Sequence, residues 1–186
     1  MPTAGGREPE EAVPQWVPVE PLPSSEMVLS AFAGRALAAA VDILDPVAEL
    51  VLCQQRYRVA MELLADPAAG GEAVKAAAAE MMSAHTDIEI LMNVIDEAVA
   101  DRLLERENRT TPVSLGIPIT GSPDRLVHTE SVGEIVTRMA ALWEVVIARA
   151  SDPDELPEAH QLCELSVAYD QLAAEIESGH RIPPGL

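Results

Sequence analysis

The feature that most constrains the fold of this chain is a stripe of residues spaced alternately by four and three. The stripe comprises Val74, Ala78, Met81, His85, Ile88, Met92, Ile95 and Val99. This spacing returns every member to one face of an α-helix, so eight successive positions are turned toward the same partner. Seven of them are apolar, and the eighth is His85. The pattern predicts a long helix from about Glu72 to Arg106 and indicates an all-α protein.

Capping and proline signals predict two helices before this one. The first runs from Ser24 to about Leu44 and is apolar on nearly all sides, which is typical of a buried or interface helix. Asp45 followed by Pro46 is typical of a helix start, because Asp caps well and Pro suits the first helical position. The second helix is therefore predicted from this dipeptide to about Ala65.

Two further helices follow the long one, and each has a local signal at one end. Ser131 and Glu134 have the spacing of a capping box, which predicts a helix that continues to about Ala150. A fifth helix is predicted over 156–178, with Gly179 as its C-terminal stop. Five helices in this order predict an antiparallel bundle whose third helix is unusually long.

Two segments lack a helical period. Residues 1–23 are acidic and rich in proline, so they are predicted to be a flexible tail or a surface wrap whose removal leaves folding intact. Residues 24–186 are then a single bundle domain. In the connection 107–127, apolar residues alternate with small or polar ones between Val113 and Ile119. This pattern predicts an extended loop, either a connector over the bundle or a functional lid.

Charge and composition exclude several partners. The formal net charge is −19 and the pI is about 4.4. Binding to nucleic acid or to an anionic membrane requires clustered Lys and Arg, so we expect neither partner. The N-terminus is acidic, and the apolar run over 36–41 is too short to span a bilayer, which predicts a soluble cytoplasmic protein. Cys53 and Cys163 lie far apart and are expected to be free thiols.

Motifs for metal or nucleophilic chemistry are weak. A di-iron site in a helical bundle needs Glu-x-x-His on two helices, whereas this chain offers only Glu177 with His180, across a helix end. His160 and Glu164 lie opposite the apolar stripe of the fifth helix and are predicted to form a surface pair. The chain has neither a Gly-x-Ser-x-Gly elbow nor a Gly-rich loop after a strand. The sequence therefore predicts no metal and no cofactor.

A small set of polar residues falls on stripes predicted to face the core. These residues are Gln54, Tyr57, His85, Ser166 and Tyr169. Buried polar groups need partners, so one interpretation is that they bond to one another and fix the register of the helices. The other is a pocket for a small apolar ligand, with His85 as the best candidate for a catalytic base. The place of His85 within the long stripe predicts an inward ring whose desolvation favours the neutral form.

Residues 128–139 read HTESVGEIVTRM, and residues 94–97 read VIDE. The first segment is similar to a His-Thr-Glu-Thr-Pro-Gly pattern before an Asp-Arg-Leu helix start, and the second resembles the end of a long helix bearing Asn, Arg, Asp and Glu. Both patterns belong to an uncharacterised bacterial family, the domain of unknown function 4254. The residues that carry the resemblance are His128, Thr129, Glu130, Gly133, Arg138, Asp96 and Glu97. The resemblance implies an all-α fold and makes Glu130 and Arg138 candidate binding residues, but it implies no activity.

These observations leave two classes of function open. The first is a non-catalytic interaction protein with an accessory or scaffold role, which self-associates through its first and third helices, most simply as a homodimer. The second is a small enzyme of bacterial specialised metabolism, with an apolar pocket around Tyr57, His85 and Tyr169. The absence of a catalytic motif from the sequence favours the first class.

Overall fold

A computed structural model describes residues 19–35, 38–110, 126–149, 156–182 and 184 of the chain. Within these ranges the helices are α1 (Ser25–Phe32), α2 (Val41–Ala65), α3 (Gly71–Thr110), α4 (Val132–Ala148) and α5 (Pro157–Glu177). Two short strands, β1 (Leu126–Val127) and β2 (Arg181–Ile182), pair in parallel. The prediction of an all-α fold is confirmed. Of the lid or connector predicted over 107–127, α3 occupies the first four residues, β1 occupies the last two, and 111–125 lie outside the described residues.

The first helix is much shorter than the sequence predicted, because it ends at Phe32 rather than near Leu44. Gly34 has a φ of +70°, in the left-handed region that suits glycine after a helix end. Its N–H donates to the Ala31 carbonyl, and the N–H of Arg35 donates to the Ser30 carbonyl. These two bonds form a Schellman motif, which satisfies the last carbonyl groups of α1 and stops the helix.

The second helix begins earlier than predicted, at Val41, so Pro46 lies inside it and not at its first position. Its start has a left-handed Ala40 and no side-chain cap. The apolar side chains of Ile43, Leu44 and Val47 are buried in the core. Their burial outweighs the weak start and the hydrogen bond that Pro46 removes.

Helices α2 and α3 form a long antiparallel hairpin around a turn at residues 66–70. Over its 40 residues, α3 extends for about 60 Å. Its most buried side chains recur at spacings of seven, four and three: Ala77, Ala84, Ile88, Ile95, Val99 and Arg102. Heptad-related spacing is that of a coiled-coil seam, and here the partner is α2.

The remaining helices cover only one end of this hairpin. Helix α4 packs against α2 and α3, α5 packs against α4, and α1 lies against α2, α4 and α5. Phe32 of α1 and Trp143 of α4 place their ring centroids 6.0 Å apart. The resulting core includes Val28, Leu50, Val136, Met139 and Tyr169, each almost completely buried. No described helix is both long enough and apolar enough to cross a membrane.

Residues 19–24 form a segment that we call the N-terminal strap, and it packs on the bundle. Leu22 and Pro23 are buried. Arg102 donates to the carbonyl oxygens of Glu20 (3.3 Å) and Pro21 (2.8 Å). The last residues of the tail that was predicted to be dispensable up to Pro23 therefore satisfy a buried guanidinium group, which favours a structural role for them.

Helix α5 also binds the strap, through contacts separate from those of Arg102 on α3. The Tyr169 hydroxyl donates to the Pro23 carbonyl at 2.8 Å, and the Leu22 N–H donates to the Glu177 carboxylate at 2.6 Å. At the start of α1, Asp170 accepts hydrogen bonds from the N–H (2.7 Å) and the hydroxyl (2.6 Å) of Ser25. The sequence left two alternatives for this region, a flexible tail or a segment packed on the bundle surface. Residues 19–24 have the second arrangement.

Candidate interaction surface

The predicted inward polar residues do not share one environment. Ser166 and Tyr169 are buried, as predicted, while Gln54 and Tyr57 are only partly buried. Ser166 donates within its own helix to the Leu162 carbonyl at 2.8 Å. Gln54 donates to the Thr137 carbonyl of α4 at 3.5 Å. These groups therefore find separate partners instead of bonding to one another.

The prediction of an inward ring at His85 is wrong. Its side chain is 62% exposed, and its Nε2 lies 3.5 Å from the Glu89 carboxylate in a surface pair. The seam of α3 with α2 uses the neighbouring Ala84, which is completely buried. A residue as small as alanine lets the two helices approach closely, and the 100° turn per residue then directs position 85 away from the seam.

The predicted apolar pocket is only partly assembled. Tyr57 and His85 place their ring centroids 6.2 Å apart across α2 and α3. Tyr169 instead uses its hydroxyl on the strap, and burial raises the pKa of that hydroxyl above its ordinary value. The neighbouring Asp170 carboxylate acts in the same direction. The contacts of Tyr169 thus belong to the packing of α5 on the N-terminal segment.

Five of the seven residues that carried the family resemblance make contacts around the start of α4: Asp96, His128, Glu130, Gly133 and Arg138. The Gly133 N–H donates to the Asp96 carboxylate of α3 at 2.7 Å. Arg138 donates to the Glu130 carboxylate at 2.6 Å, and the Glu130 N–H donates to Nδ1 of His128 at 3.1 Å. A carboxylate at a helix N-terminus satisfies free N–H groups and complements the helix dipole. In this structure the bond from Gly133 to Asp96 anchors α4 to α3, while the other bonds lie within the approach to α4 and its first turns.

The capping box predicted at Ser131 is confirmed. The Ser131 hydroxyl accepts from the Glu134 N–H at 3.0 Å, and the Glu134 carboxylate accepts from the Ser131 N–H at 2.7 Å. The two bonds satisfy groups that a helix leaves without partners at its first turn. Together with Asp96, they fix where α4 begins on the surface of the hairpin.

A charged pair is buried where α4 crosses α2. The Glu144 side chain is only 9% exposed, and its carboxylate lies 3.7 Å from Nε of Arg58. Burial raises the pKa of Glu144 above its ordinary value, while the Arg58 charge opposes this shift. Nε of Arg58 and the Thr137 hydroxyl are buried without a hydrogen-bond partner in the described part of the chain. Sequence spacing contains no signal for this pair, because Glu144 falls on an apolar helix face.

Exposed apolar side chains also lie together on the side of the hairpin opposite to α4. We call it the back face. It consists of Leu52, Arg56, Val59 and Leu63 from α2 and Ala76, Glu80, Ser83, Asp87, Ile90 and Val94 from α3. Leu52 is 59% exposed, Val59 51% and Ile90 54%. Exposed apolar side chains grouped in this way are typical of an interaction surface.

An ion-pair cluster lies at the centre of the back face. Arg56 donates to Glu80 through Nε at 2.6 Å, to Asp87 through Nη1 at 2.8 Å and to Ser83 through Nη2 at 3.4 Å. The Asp87 and Glu80 hydrogen bonds raise the pKa of Arg56 above its ordinary value. One guanidinium group therefore links three residues of α3, spaced at i, i+3 and i+7, to α2.

Beyond this cluster, toward the turn of the hairpin, the back face is concave. A groove of about 500 Å³ lies there. It is lined by Gln55, Arg56, Val59, Ala60, Leu63, Ala76, Ala77 and Glu80. Alanines on both helices leave this space open, because their side chains do not fill the furrow between α2 and α3.

The sequence contained a signal for this surface. Leu52, Arg56, Val59 and Leu63 have the spacing i, i+4, i+7 and i+11, which places them on one helix face. The apolar stripe on the opposite side of α2 masks that pattern when the sequence is read alone. On α3, Ile90 and Val94 are one turn apart and lie outside the predicted stripe. Their spacing alone therefore does not predict an exposed apolar surface; the position of the seam with α2 is needed as well.

The surface pair predicted on the fifth helix is confirmed. His160 and Glu164 form an exposed pair at 3.3 Å. Cys53 and Cys163 are free thiols, and burial raises the pKa of Cys53. Among the described residues, no group of three or more His, Cys, Asp or Glu side chains could hold a metal ion.

Comparison with known proteins adds no relative. Neither a protein family, nor a curated protein, nor a solved structure matches this chain.

Proposed function

We propose that this protein is a non-catalytic interaction protein of the cytoplasm with a scaffold or accessory role, and that it works as a homodimer. The observation that carries the proposal is the back face of the α2–α3 hairpin. Its exposed apolar side chains come from both helices and lie together, whereas single exposed apolar residues are ordinary on protein surfaces.

The surface differs from the one that the sequence suggested. Val28, Ala31 and Phe32 of α1 are buried within the bundle, so the first helix has little apolar surface left for a partner. The third helix keeps its proposed role in self-association, because Ile90 and Val94 are exposed. The second helix replaces the first as the other half of the surface.

The experiment is a measurement of molar mass by light scattering and analytical ultracentrifugation at micromolar protein. We expect the mass of a dimer for the wild-type chain. Val59→Glu places a charge among the apolar side chains of the back face, and an unpaired charge is costly to bury in an interface. We expect this variant to weaken association at least tenfold. A monomeric wild-type chain at all accessible concentrations would contradict the proposal.

Val167→Glu is the matched control. Val167 is the more exposed of the two valines, at 70%, and lies on α5, outside the back face. The substitution introduces the same charge change as Val59→Glu. We expect the control to retain the wild-type mass, and circular dichroism should show equal helix content in both variants. Equal weakening by both substitutions would mean that net charge, and not the back face, governs association.

A further inference from the structure

We infer that the surface beneath the N-terminal strap is a recognition groove for extended, proline-containing segments of a partner protein, and that the strap is its intramolecular occupant. We call this surface the strap groove. It is separate from the back face, because Arg102 lies about 12 Å along α3 beyond Val94. The inference goes beyond the proposed function and does not depend on self-association.

The strap groove binds the strap through main-chain atoms. Four successive strap residues make main-chain hydrogen bonds to α3 or α5: Glu20, Pro21, Leu22 and Pro23. Their partners are the Arg102 guanidinium group, the Glu177 carboxylate and the Tyr169 hydroxyl. Every peptide has these main-chain groups, so another extended segment can make the same bonds.

The side chains of the strap indicate which segments the groove prefers. Leu22 and Pro23 are buried, so the groove accommodates a leucine followed by a proline. The Glu20 carboxylate lies 3.4 Å from Nη2 of Arg102, which favours an acidic residue two positions before the leucine. Pro21 is exposed and leaves the residue between them less restricted. The partner segment is therefore an acidic residue, any residue that suits an extended chain, a leucine and a proline.

The strap has the backbone conformation of a proline-rich ligand. Ser24 has a φ of −72° and a ψ of 162°, close to the values of polyproline II. Pro21 and Pro23 each fix φ near −65°. A segment that is already extended when free loses little conformational entropy on binding, which is how proline-rich peptides are recognised elsewhere.

The strap groove is costly to leave empty. Tyr169 is 1% exposed and Arg102 is 8% exposed. Without an occupant, the Tyr169 hydroxyl would lose its acceptor, and Arg102 would lose the two carbonyl oxygens and the Glu20 carboxylate. Buried polar groups without partners are unfavourable, so departure of the strap favours its replacement by a segment with the same acceptors. The strap and the partner segment therefore compete for one site.

The test uses the full-length chain and a synthetic peptide with the sequence of the strap, Val-Glu-Pro-Leu-Pro-Ser, capped at both ends and labelled with a fluorophore. In the wild type, the attached strap competes with the peptide at a high effective concentration. Leu22→Asp places a charge where an apolar side chain is buried and should release the strap. We expect fluorescence anisotropy to show that this variant binds the peptide at least tenfold more tightly than the wild type does.

Leu104→Asp is the matched control. It makes the same substitution on α3 at a side chain that is 48% exposed. Residues two positions apart on a helix do not face each other, so Leu104 lies away from Arg102. We expect this variant to have the wild-type affinity. A peptide with aspartate in place of leucine should not bind the Leu22→Asp variant. Equal binding of the strap peptide by the wild type and Leu22→Asp, or equal binding of both peptides by Leu22→Asp, would overturn the inference.

A thermal measurement tests the site even where Leu22→Asp is partly unfolded. A ligand that binds the folded state stabilises it by mass action, so the strap peptide should raise the melting temperature of this variant as its concentration increases. Adding Tyr169→Phe removes the hydroxyl that bonds to the third carbonyl group and should lower the affinity about fivefold. An unchanged melting temperature, or an affinity that Tyr169→Phe does not lower, would show that the peptide does not occupy the strap groove and would overturn the inference.

Discussion

Gly133 and Asp96 fit together so closely that no side chain larger than hydrogen can lie between them. The Gly133 N–H donates to the Asp96 carboxylate at 2.7 Å, and a Cβ atom on Gly133 would lie 2.9 Å from Oδ2 of the same carboxylate. That Cβ would also clash with the backbone carbonyl oxygen of Met92. Because one obstacle is backbone, α4 would have to move away from α3 to admit it.

Gly133→Ala should therefore destabilise the protein by about 1–3 kcal/mol, the usual range for overpacking a closely packed site. Gly71→Ala is the control, because a Cβ there meets nothing within 4 Å. Chemical unfolding followed by circular dichroism measures both. A Gly133→Ala variant as stable as Gly71→Ala would show that α4 shifts at little cost.

Removing the N-terminal strap should lower stability by at least about 3 kcal/mol. The change loses the burial of Leu22 and Pro23 and leaves the buried Arg102 without three of its acceptors, two carbonyl oxygens and the Glu20 carboxylate. The measurement compares the free energy of unfolding of a chain that starts at Ser24 with one that starts at Val19. The second chain is the control, because it keeps the strap. Equal stability of the two would contradict the structural role of the strap.

The pair between Asp42 and Arg102 should make stability depend on pH at the acid end. The Arg102 hydrogen bond holds the pKa of Asp42 below its ordinary value, although burial acts the other way. Since the pKa is depressed by folding, the pair contributes fully above the unfolded pKa of about 4 and is lost as pH falls through the lower folded value.

Asp42→Asn should thus cost about 1–2 kcal/mol at pH 7, because about half of the Asp42 side chain is exposed and solvent screens the pair. The difference from wild type should shrink as the solution is acidified below about pH 4. Asp45→Asn removes the same charge from an exposed position of the same helix and serves as the control. A cost for Asp42→Asn that persists unchanged in acid would refute the linkage.

Glu144 should make the free energy of unfolding depend on pH in the opposite direction from Asp42. Burial raises its pKa, so the folded state binds the proton more tightly than the unfolded chain does. The stability contributed by this group is present at low pH and falls as pH rises above the unfolded pKa of about 4.3.

Glu144→Gln should accordingly be more stable than wild type at pH 7, by about 1 kcal/mol, and should lose this advantage near pH 4. Arg58 keeps its bond to Glu62 at 2.6 Å in this variant. Glu62→Gln is the control, and we expect it to change stability by less than about 0.5 kcal/mol, as is usual for an exposed pair. A loss of stability in Glu144→Gln at pH 7 would mean that the attraction to Arg58 exceeds the cost of burial.

Association should strengthen with salt. Each chain has a formal net charge of −19, so two copies repel one another at long range. Raising sodium chloride from about 50 to 500 mM shortens the Debye length and screens this repulsion. We expect the dimer dissociation constant from ultracentrifugation to fall several-fold. A constant that rises with salt would indicate an interface held by intermolecular ion pairs instead of apolar contacts.

Local signals predicted some parts of the fold well. Ser131 with Glu134 marks a helix start through bonds within four residues, and Gly179 ends a helix through its own φ of +74°. Competing local signals led to wrong helix boundaries elsewhere. Asp45 and Pro46 have the pattern of a helix start, which predicted that the first helix continues to about Leu44. Instead, α1 ends at Phe32, before Gly34. The burial of Ile43 and Leu44 extends α2 toward the N-terminus, to Val41.

The candidate site depended on information that is not local. On α3, the predicted stripe and the observed seam share Ile88, Ile95 and Val99, but they diverge by one residue at Ala84 and His85, and heptad-related spacing accommodates either. Only the packing of α2 decides between them. Arg102 is buried although it is charged, because its acceptors include the backbone of Glu20 and Pro21, more than 80 residues away. Such pairings have no signature in sequence spacing.

The contacts of the N-terminal strap also set an order for biosynthesis. The bond between Tyr169 and Pro23 joins residues 146 positions apart, and the bond between Leu22 and Glu177 joins residues 155 apart. At a synthesis rate of about 5–20 residues per second, the strap leaves the ribosome roughly 7–30 s before the helix that holds it. Leu22 and Pro23 lack their α5 partners during that interval, while Arg102 of α3 is already available to the strap. The strap can therefore dock on α3 first, and its hydrogen bonds to Tyr169 and Glu177 can form only after α5 has been synthesised.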